Sequence, residues 1–207
     1  MAARDFPTFV RELPLTRRAL DFAAARHHGQ RRKADDAAFI LHPLEVAQLL
    51  RSHGYPDRVV AAGVLHDSLE DTDATPEELE RCFGAEVAQL VCAVSEPPGA
   101  GPFAERKARL RAAVADASPQ AAAVYAADKV AKARELRMSL ARDWSVAADP
   151  GTTDKLTHYW ASLELLARML GEHPLVTQLR FELEALETLP PRTPHQLAAQ
   201  EPAEARP

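Results

Sequence analysis

The sequence predicts an all-α protein, built as one bundle of about eight to ten helices. Segments with helical start and stop signals follow one another along the chain, and no segment alternates with the period of a strand. Apolar residues make up 46% and charged residues 27% of the 207 residues, which is the profile of an ordinary globular protein. That length suits one domain followed by a tail.

The predicted helices are defined by caps, by apolar spacing and by terminating glycines. They cover, in order, residues 16–29, 43–54, 58–68, 75–84, 85–94, 103–117, 119–144, 152–170 and 175–189. Asp57 is predicted to cap the third of them. Thr75-Pro76-Glu77-Glu78 combines a cap, a first-turn proline and a capping-box glutamate, which makes the start of the fourth helix the clearest boundary in the chain.

The chain divides into one domain over residues 1–189 and a flexible tail, rich in proline and alanine, over residues 190–207. Residues 95–102, with five prolines and glycines among eight residues, are predicted as an irregular loop. The sequence has no secretory leader pattern and no apolar segment of membrane length, so we expect a cytoplasmic protein.

Charge and cysteine content exclude two classes of site. The net charge of −5 argues against a broad basic face for duplex nucleic acid. Cys82 and Cys92 are the two cysteines, too few for a four-cysteine zinc site, and their apolar surroundings predict buried free thiols.

The most informative string runs from Ala61 to Thr72. An apolar run ends in His66-Asp67, and Glu70-Asp71 follows about one helical turn later. Four such groups in one region are unfavourable unless a cation lies among them, and a divalent metal ion is the usual solution. A capped helix end with solvated acids would explain the second pair, but it leaves a histidine-aspartate pair after a buried run unexplained.

Two further residues are candidates for the same metal site. A metal that activates water needs several protein ligands and an open position. His42 precedes a proline at a helix start, and Asp128 lies within a long alanine-rich helix. Singly, the first fits a core histidine or a cap, and the second fits an ion pair with a neighbouring lysine. Together with His66 and Asp67 they make a set that suits Mn²⁺, Fe²⁺ or Zn²⁺ better than Ca²⁺.

Four short strings in this chain resemble the HD-domain hydrolases, and more narrowly the hydrolase half of the RelA/SpoT family and the small alarmone hydrolases. The strings are His27-His28-Gly29-Gln30-Arg31-Arg32-Lys33, Phe39-Ile40-Leu41-His42-Pro43-Leu44-Glu45-Val46-Ala47, Leu65-His66-Asp67-Ser68-Leu69-Glu70-Asp71-Thr72 and Ala127-Asp128-Lys129. The resemblance implies removal of the 3′-pyrophosphate from guanosine tetra- or pentaphosphate, the alarmone ppGpp or pppGpp of the stringent response. The products would be GDP or GTP.

The resemblance also implies roles for individual residues. One Mn²⁺, with Fe²⁺ or Zn²⁺ as lesser alternatives, would be bound by His42, His66, Asp67 and Asp128. Glu70 and Asp71 would assist the attacking water. The positions implied in nucleotide binding are Arg32, Lys33, Lys132, Arg134, Lys155 and Tyr159.

Departures from the family pattern leave the substrate open. Lys132 stands where the family usually has asparagine, and a cation there would either strengthen phosphate binding or change which nucleotide fits. Solvated charges would explain Arg32 and Lys33 without a ligand, and core packing would explain Tyr159. The Gly-x-Pro-Tyr string that is usual before His42 in the family is also absent.

Three functions are therefore compatible with the sequence. The first is the alarmone hydrolase, favoured by the retained Glu70-Asp71 pair. The second is an HD phosphohydrolase for another phosphorylated nucleotide, such as an adenosine alarmone or a nicotinamide dinucleotide phosphate. The third is a non-catalytic nucleotide sensor, which would bind metal poorly or bind substrate without turnover. The expected partner is a small nucleotide, with no duplex nucleic acid and no membrane, and both a monomer and a homodimer fit the sequence.

Overall fold

The computed structural model describes residues 7–97 and 99–188. This part of the chain contains ten α-helices and two short 3₁₀ helices, and its β-structure is a single antiparallel bridge between Arg31 and Ala38. The α-helices are α1 (Pro14–Arg26), α2 (Leu41–Ser52), α3 (Asp57–Leu65), α4 (Ser68–Asp71), α5 (Pro76–Phe83), α6 (Ala85–Val94), α7 (Phe103–Ala115), α8 (Pro119–Arg142), α9 (Pro150–Leu170) and α10 (Pro174–Thr188). The 3₁₀ helices cover Thr8–Glu12 and Trp144–Ala148.

The predicted all-α class is confirmed, and most predicted helices lie within a few residues of the observed ones. The predicted tail over 190–207 falls outside the described residues. No helix in the described part is long and apolar enough to cross a lipid bilayer. Cys82 is half-buried and Cys92 is exposed, so the prediction of two buried thiols is wrong for Cys92, which lies on the outer face of α6.

Helix α8 is the central element of the bundle. Ser118 caps its first turn by accepting a hydrogen bond from the backbone N–H of Ala121, and Pro119 occupies the first helical position. Helices α2, α3, α6, α9 and α10 all pack against it. Since its middle turns are alanine-rich and buried nearly all round, neighbouring helices approach its backbone closely, and Asp128 is carried into the interior.

Asp57 joins α1 to α3. Its carboxylate accepts hydrogen bonds from the backbone N–H groups of Leu15 and Thr16, each at 2.9 Å, and from the Thr16 hydroxyl at 2.6 Å. The prediction that Asp57 caps its own helix is wrong, because α3 begins at Asp57 and has no side-chain cap. The carboxylate instead satisfies the first turn of α1, whose own N-cap residue Leu13 offers no polar side chain.

The predicted third helix is divided in two. Helix α3 ends at Leu65, and the turn at His66 and Asp67 precedes the single turn of α4. His66 Nδ1 donates to the Gly63 carbonyl at 2.7 Å. The turn redirects the chain just where the histidine-aspartate pair stands, so both side chains face the interior rather than following the surface of a continuing helix.

Gly63 sets the approach of α3 to α2. A Cβ atom at this position would lie 2.4 Å from Leu50 Cδ1 and 3.2 Å from Val46 Cγ1. A side chain at residue 63 would therefore require the Leu50 side chain to shift. This close packing positions His42 near the start of α2 and His66 just beyond α3 on the same side of α8.

Candidate metal centre

Three buried side chains from three separate parts of the chain converge at one point. His42 Nε2 and His66 Nε2 lie 3.2 Å apart, and each lies 3.2 Å from Asp128 Oδ1. The three residues are 1%, 3% and 4% exposed. The convergence predicted for His42, His66 and Asp128 is thus present in the structure.

The spacing and chemistry of these atoms fit a divalent metal ion. Imidazole nitrogen and carboxylate oxygen bind first-row metals at about 2.0–2.2 Å. Two such ligands separated by angles between the octahedral and tetrahedral values lie about 2.9–3.4 Å apart. The three observed distances of 3.2 Å between the nitrogen and oxygen atoms fall within that range.

Asp67 lies beside the group formed by His42, His66 and Asp128. Its Oδ2 atom is 3.1 Å from His66 Nε2 and 3.5 Å from His42 Nε2. The side chain is buried, at the turn that separates α3 from α4. All four residues predicted as metal ligands are therefore neighbours in space, with Asp67 farther from the centre of the group than the other three.

Hydrogen bonds at Nδ1, the ring nitrogen that points away from the group, hold both imidazole rings. His66 Nδ1 donates to the Gly63 carbonyl at 2.7 Å, so Nε2 carries the lone pair that faces the group. His42 Nδ1 lies 3.0 Å from Glu135 Oε1. An acceptor on Nδ1 fixes both the orientation and the tautomer of a metal-binding histidine. The structure thus supplies for each ring the support that metal ligands usually have.

Glu135 was missed by sequence reasoning. It lies seven residues after Asp128 on α8, two turns along the same helix face. Its carboxylate also lies 3.6 Å from an Arg32 guanidinium nitrogen. Extending the face of Asp128 along α8 would have pointed to it, but nothing local identifies its partner, since His42 is 93 residues away.

Two lysines on α8 neutralise the carboxylates. Lys129 Nζ lies 2.6 Å from Asp128 Oδ2, and Lys132 Nζ lies 3.0 Å from Asp128 Oδ1 and 3.4 Å from Asp67 Oδ1. The ion pairs that offered the alternative explanation of Asp128 are therefore present as well as the histidine contacts. Burial alone would raise the pKa of Asp128, but the ammonium groups outweigh it and hold that pKa well below its usual range.

A cavity of about 500 Å³ opens beside the centre. It is lined by five of the six residues predicted to bind nucleotide, namely Arg32, Lys33, Lys132, Lys155 and Tyr159. Arg31 and Phe39 also line it and were not predicted. The walls thus carry more cationic than anionic side chains, although the chain as a whole is acidic.

Arg134 is the predicted nucleotide residue that does not line this cavity. Its guanidinium lies 3.1 Å from Glu45 and 2.9 Å from Glu182, so it ties α8 to α2 and α10. Arg32 lines the cavity but forms an ion pair with Asp35, and its side chain is 10% exposed. By contrast, Lys33 and Lys155 are exposed on the rim of the cavity.

The predicted catalytic acids face different surroundings. Asp71 lines the cavity, and its backbone carbonyl accepts a hydrogen bond from the Gln30 amide at 2.8 Å. Glu70 Oε1 accepts a hydrogen bond from the backbone N–H of Glu96 at 2.8 Å, at the start of the 95–102 segment. Burial raises the pKa of both carboxyl groups. A carboxylate with a raised pKa beside a cavity is suited to accept a proton near neutral pH.

Comparisons with known proteins identify the family of this chain. The HD domain family model matches residues 19–150. The guanosine-3′,5′-bis(diphosphate) 3′-pyrophosphohydrolase MESH1 of Danio rerio is 39% identical over 129 residues, which cover 61% of this chain and 71% of the relative. MESH1 of Homo sapiens is 41% identical over 130 residues, with 61% and 72% covered.

Solved structures show the same architecture. A metazoan ortholog of SpoT, described as hydrolysing ppGpp, superposes with a TM-score of 0.69 at 25% identity and covers 83% of this chain and 95% of its own. A protein of Listeria monocytogenes superposes with a TM-score of 0.63 at 27% identity, over 70% and 95% of the two chains. The chain therefore belongs to the HD-domain family, on the branch of the RelA/SpoT-type hydrolases.

Proposed function

We propose that this protein is a metal-dependent hydrolase that removes the 3′-pyrophosphate from guanosine tetra- or pentaphosphate, giving GDP or GTP. The observation that carries the proposal is the group formed by His42, His66 and Asp128 beside a cationic cavity. Relatives that span the same region bear the name of that activity. The catalytic unit of the proposal is the single domain predicted over residues 1–189.

In this proposal His42, His66, Asp67 and Asp128 bind one divalent ion, with Mn²⁺ preferred to Fe²⁺ or Zn²⁺. When bound, such an ion lowers the pKa of a water molecule and offsets charge on phosphoryl oxygens. Glu135 and the Gly63 carbonyl serve the centre by orienting the two imidazole rings through their Nδ1 atoms.

Asp71 and Glu70 handle the proton of the attacking water. Asp71 reaches the cavity and accepts that proton, which its raised pKa favours. Glu70 is held by the Glu96 backbone N–H and assists the same water. The water oxygen bonds to phosphorus, the bond from phosphorus to the 3′ oxygen breaks, and pyrophosphate leaves as the 3′ hydroxyl gains a proton.

The cavity walls hold the nucleotide. Lys33, Lys132 and Lys155 offer ammonium groups to phosphates. Arg32 also lines the cavity and adds positive charge there, while its guanidinium is paired with Asp35. Tyr159 is buried and lines the same cavity beside them. The cytoplasmic location stays a prediction from the sequence.

A second candidate function is hydrolysis of another phosphorylated nucleotide, for example an adenosine alarmone or a nicotinamide dinucleotide phosphate. Lys132 favours it, because this cation lines the cavity directly beside the metal centre, at the position where the family usually has asparagine.

The deciding experiment incubates the purified chain with Mn²⁺ and guanosine tetraphosphate, adenosine tetraphosphate or a nicotinamide dinucleotide phosphate, and identifies the products chromatographically. The proposal expects pyrophosphate and GDP from the guanosine substrate, with no release in the Asp128→Ala variant. Release of monophosphate from the nicotinamide nucleotide would support the second candidate. Binding without turnover of any nucleotide would instead identify a sensor.

A further inference from the structure

Lys132 forms a bridge between the two carboxylates of the candidate metal centre. It lies one helical turn after Asp128, and its Nζ atom is 3.0 Å from Asp128 Oδ1 and 3.4 Å from Asp67 Oδ1. Asp128 Oδ1 is also the atom that His42 and His66 approach to 3.2 Å. The ammonium group and the predicted metal therefore share a ligand atom.

Two ammonium groups already contact the carboxylates of the centre. Asp67 and Asp128 contribute two negative charges, and Lys129 and Lys132 contribute two positive charges in direct contact with them. A divalent ion added to this group would meet two ammonium groups at close range in a buried site. Like charges at such separations repel strongly where the effective dielectric constant is low.

The two lysines differ in how easily they can be displaced. Lys129 is 3% exposed, contacts the outer oxygen of Asp128 and lies with its Nζ 4.4 Å from the centre of the Tyr125 ring. The Lys132 side chain is 31% exposed and lines the cavity. Lys129 is therefore a fixed counter-ion, whereas Lys132 has room to move its ammonium group away from the centre.

We propose that the ammonium group of Lys132 and the divalent metal are alternative counter-ions of Asp67 and Asp128. Without metal, Lys132 holds the two carboxylates together and spares the buried site an uncompensated charge. Metal entry displaces the ammonium group into the cavity, where it faces the ligand. Lys132 thereby weakens metal binding and sets the affinity of the centre, an inference that rests on the metal centre of the proposed function.

The test compares the full-length wild type with Lys132→Met, which keeps most of the side-chain length but removes the charge, and with Lys132→Arg, which keeps the charge. Lys155→Met is the matched control, because it removes a lysine charge from the same cavity without a contact to either carboxylate. Each chelator-treated protein is titrated with Mn²⁺ by calorimetry, and its thermal unfolding is recorded with and without Mn²⁺.

We expect Lys132→Met to bind Mn²⁺ more tightly by about tenfold or more, since a nearby positive charge is lost. The same variant should unfold at a lower temperature than the wild type without metal, and the difference should vanish or reverse at saturating Mn²⁺. Lys132→Arg should keep the weaker metal binding. Lys155→Met should bind Mn²⁺ within about twofold of the wild type, because its charge lies on the solvated rim.

Three outcomes would overturn the inference. An unchanged or weaker Mn²⁺ affinity in Lys132→Met would show that the lysine does not compete with metal. Equal tightening in Lys155→Met would reduce the effect to the overall charge of the cavity. A wild type that binds no Mn²⁺ would refute the proposed metal centre as well, whereas metal binding with no effect of Lys132 would refute this inference alone.

Discussion

Replacing Gly63 by alanine would test whether the contact between α2 and α3 determines the spacing of the two histidines. The new Cβ would lie 2.4 Å from Leu50 Cδ1 and 3.2 Å from Val46 Cγ1, well inside van der Waals contact. Leu50 is fully buried, so its methyl group cannot move into solvent and any shift must be absorbed by the surrounding core. The strain falls directly on the residue whose carbonyl holds His66.

The size of the effect follows from two opposing contributions. Overpacking by one methyl group in a close-packed core costs about 1–3 kcal/mol. Alanine in a helix interior recovers roughly 0.5–1 kcal/mol relative to glycine. The net loss in the free energy of unfolding should be about 0–2.5 kcal/mol, which corresponds to a fall in Tm of up to about 10 °C for a domain of this size.

Thermal or urea unfolding of the metal-free protein measures this loss, and a Mn²⁺ titration measures its effect on the histidines. Leu50→Val is the companion variant, because it removes the δ-methyl groups that the new Cβ would meet. The double variant should lose less free energy of unfolding than the two single variants lose together, by roughly 0.5 kcal/mol or more. A Gly63→Ala protein that is more stable than the wild type, with unchanged Mn²⁺ affinity, would refute the role assigned to this contact.

Four further predictions concern the centre, the acids and the scaffold. Asp128→Ala should lose bound metal, measured by atomic absorption, and activity together; an active, metal-loaded variant would remove Asp128 from the site. Glu70→Gln should keep its metal but turn over about 10²-fold more slowly. Since burial raises the pKa of Glu70 and Asp71, the active carboxylate form is lost at a higher pH than for ordinary acids, so wild-type kcat/KM should fall early on the acid side; a flat acid limb would contradict this. Asp57→Ala should lower the free energy of unfolding by about 1–2 kcal/mol, measured by urea unfolding, and no change would show that its bonds to α1 are dispensable.

Local sequence patterns predicted the parts of this structure that depend on local chemistry. Thr75 caps α5 as expected, with its hydroxyl accepting from the Glu78 backbone N–H at 3.2 Å. Asp128 was identified because an aspartate in an apolar helix needs a partner, and His42 because it completes a ligand set with His66, Asp67 and Asp128. These residue types indicate a metal ligand, and the fold brings His42, His66 and Asp128 to one point.

The features that were missed depend on contacts between distant segments. Asp57 caps a helix 41 residues earlier rather than its own, which no local pattern reveals. Helix α3 ends at Leu65 because the His66 ring takes the Gly63 carbonyl. Glu135 supports His42 across the gap between α8 and α2. In each case a polar group finds a tertiary partner that competes with the local one.

The two oxygens of Asp128 are assigned to different tasks by the packing around them. Oδ2 is engaged by the buried Lys129, and Oδ1 alone faces the histidines. A bound ion would therefore receive one atom from this carboxylate instead of being chelated by both. If each of the four protein ligands gave one atom, an ion that prefers six ligands, such as Mn²⁺, would keep room for a solvent molecule and a substrate oxygen.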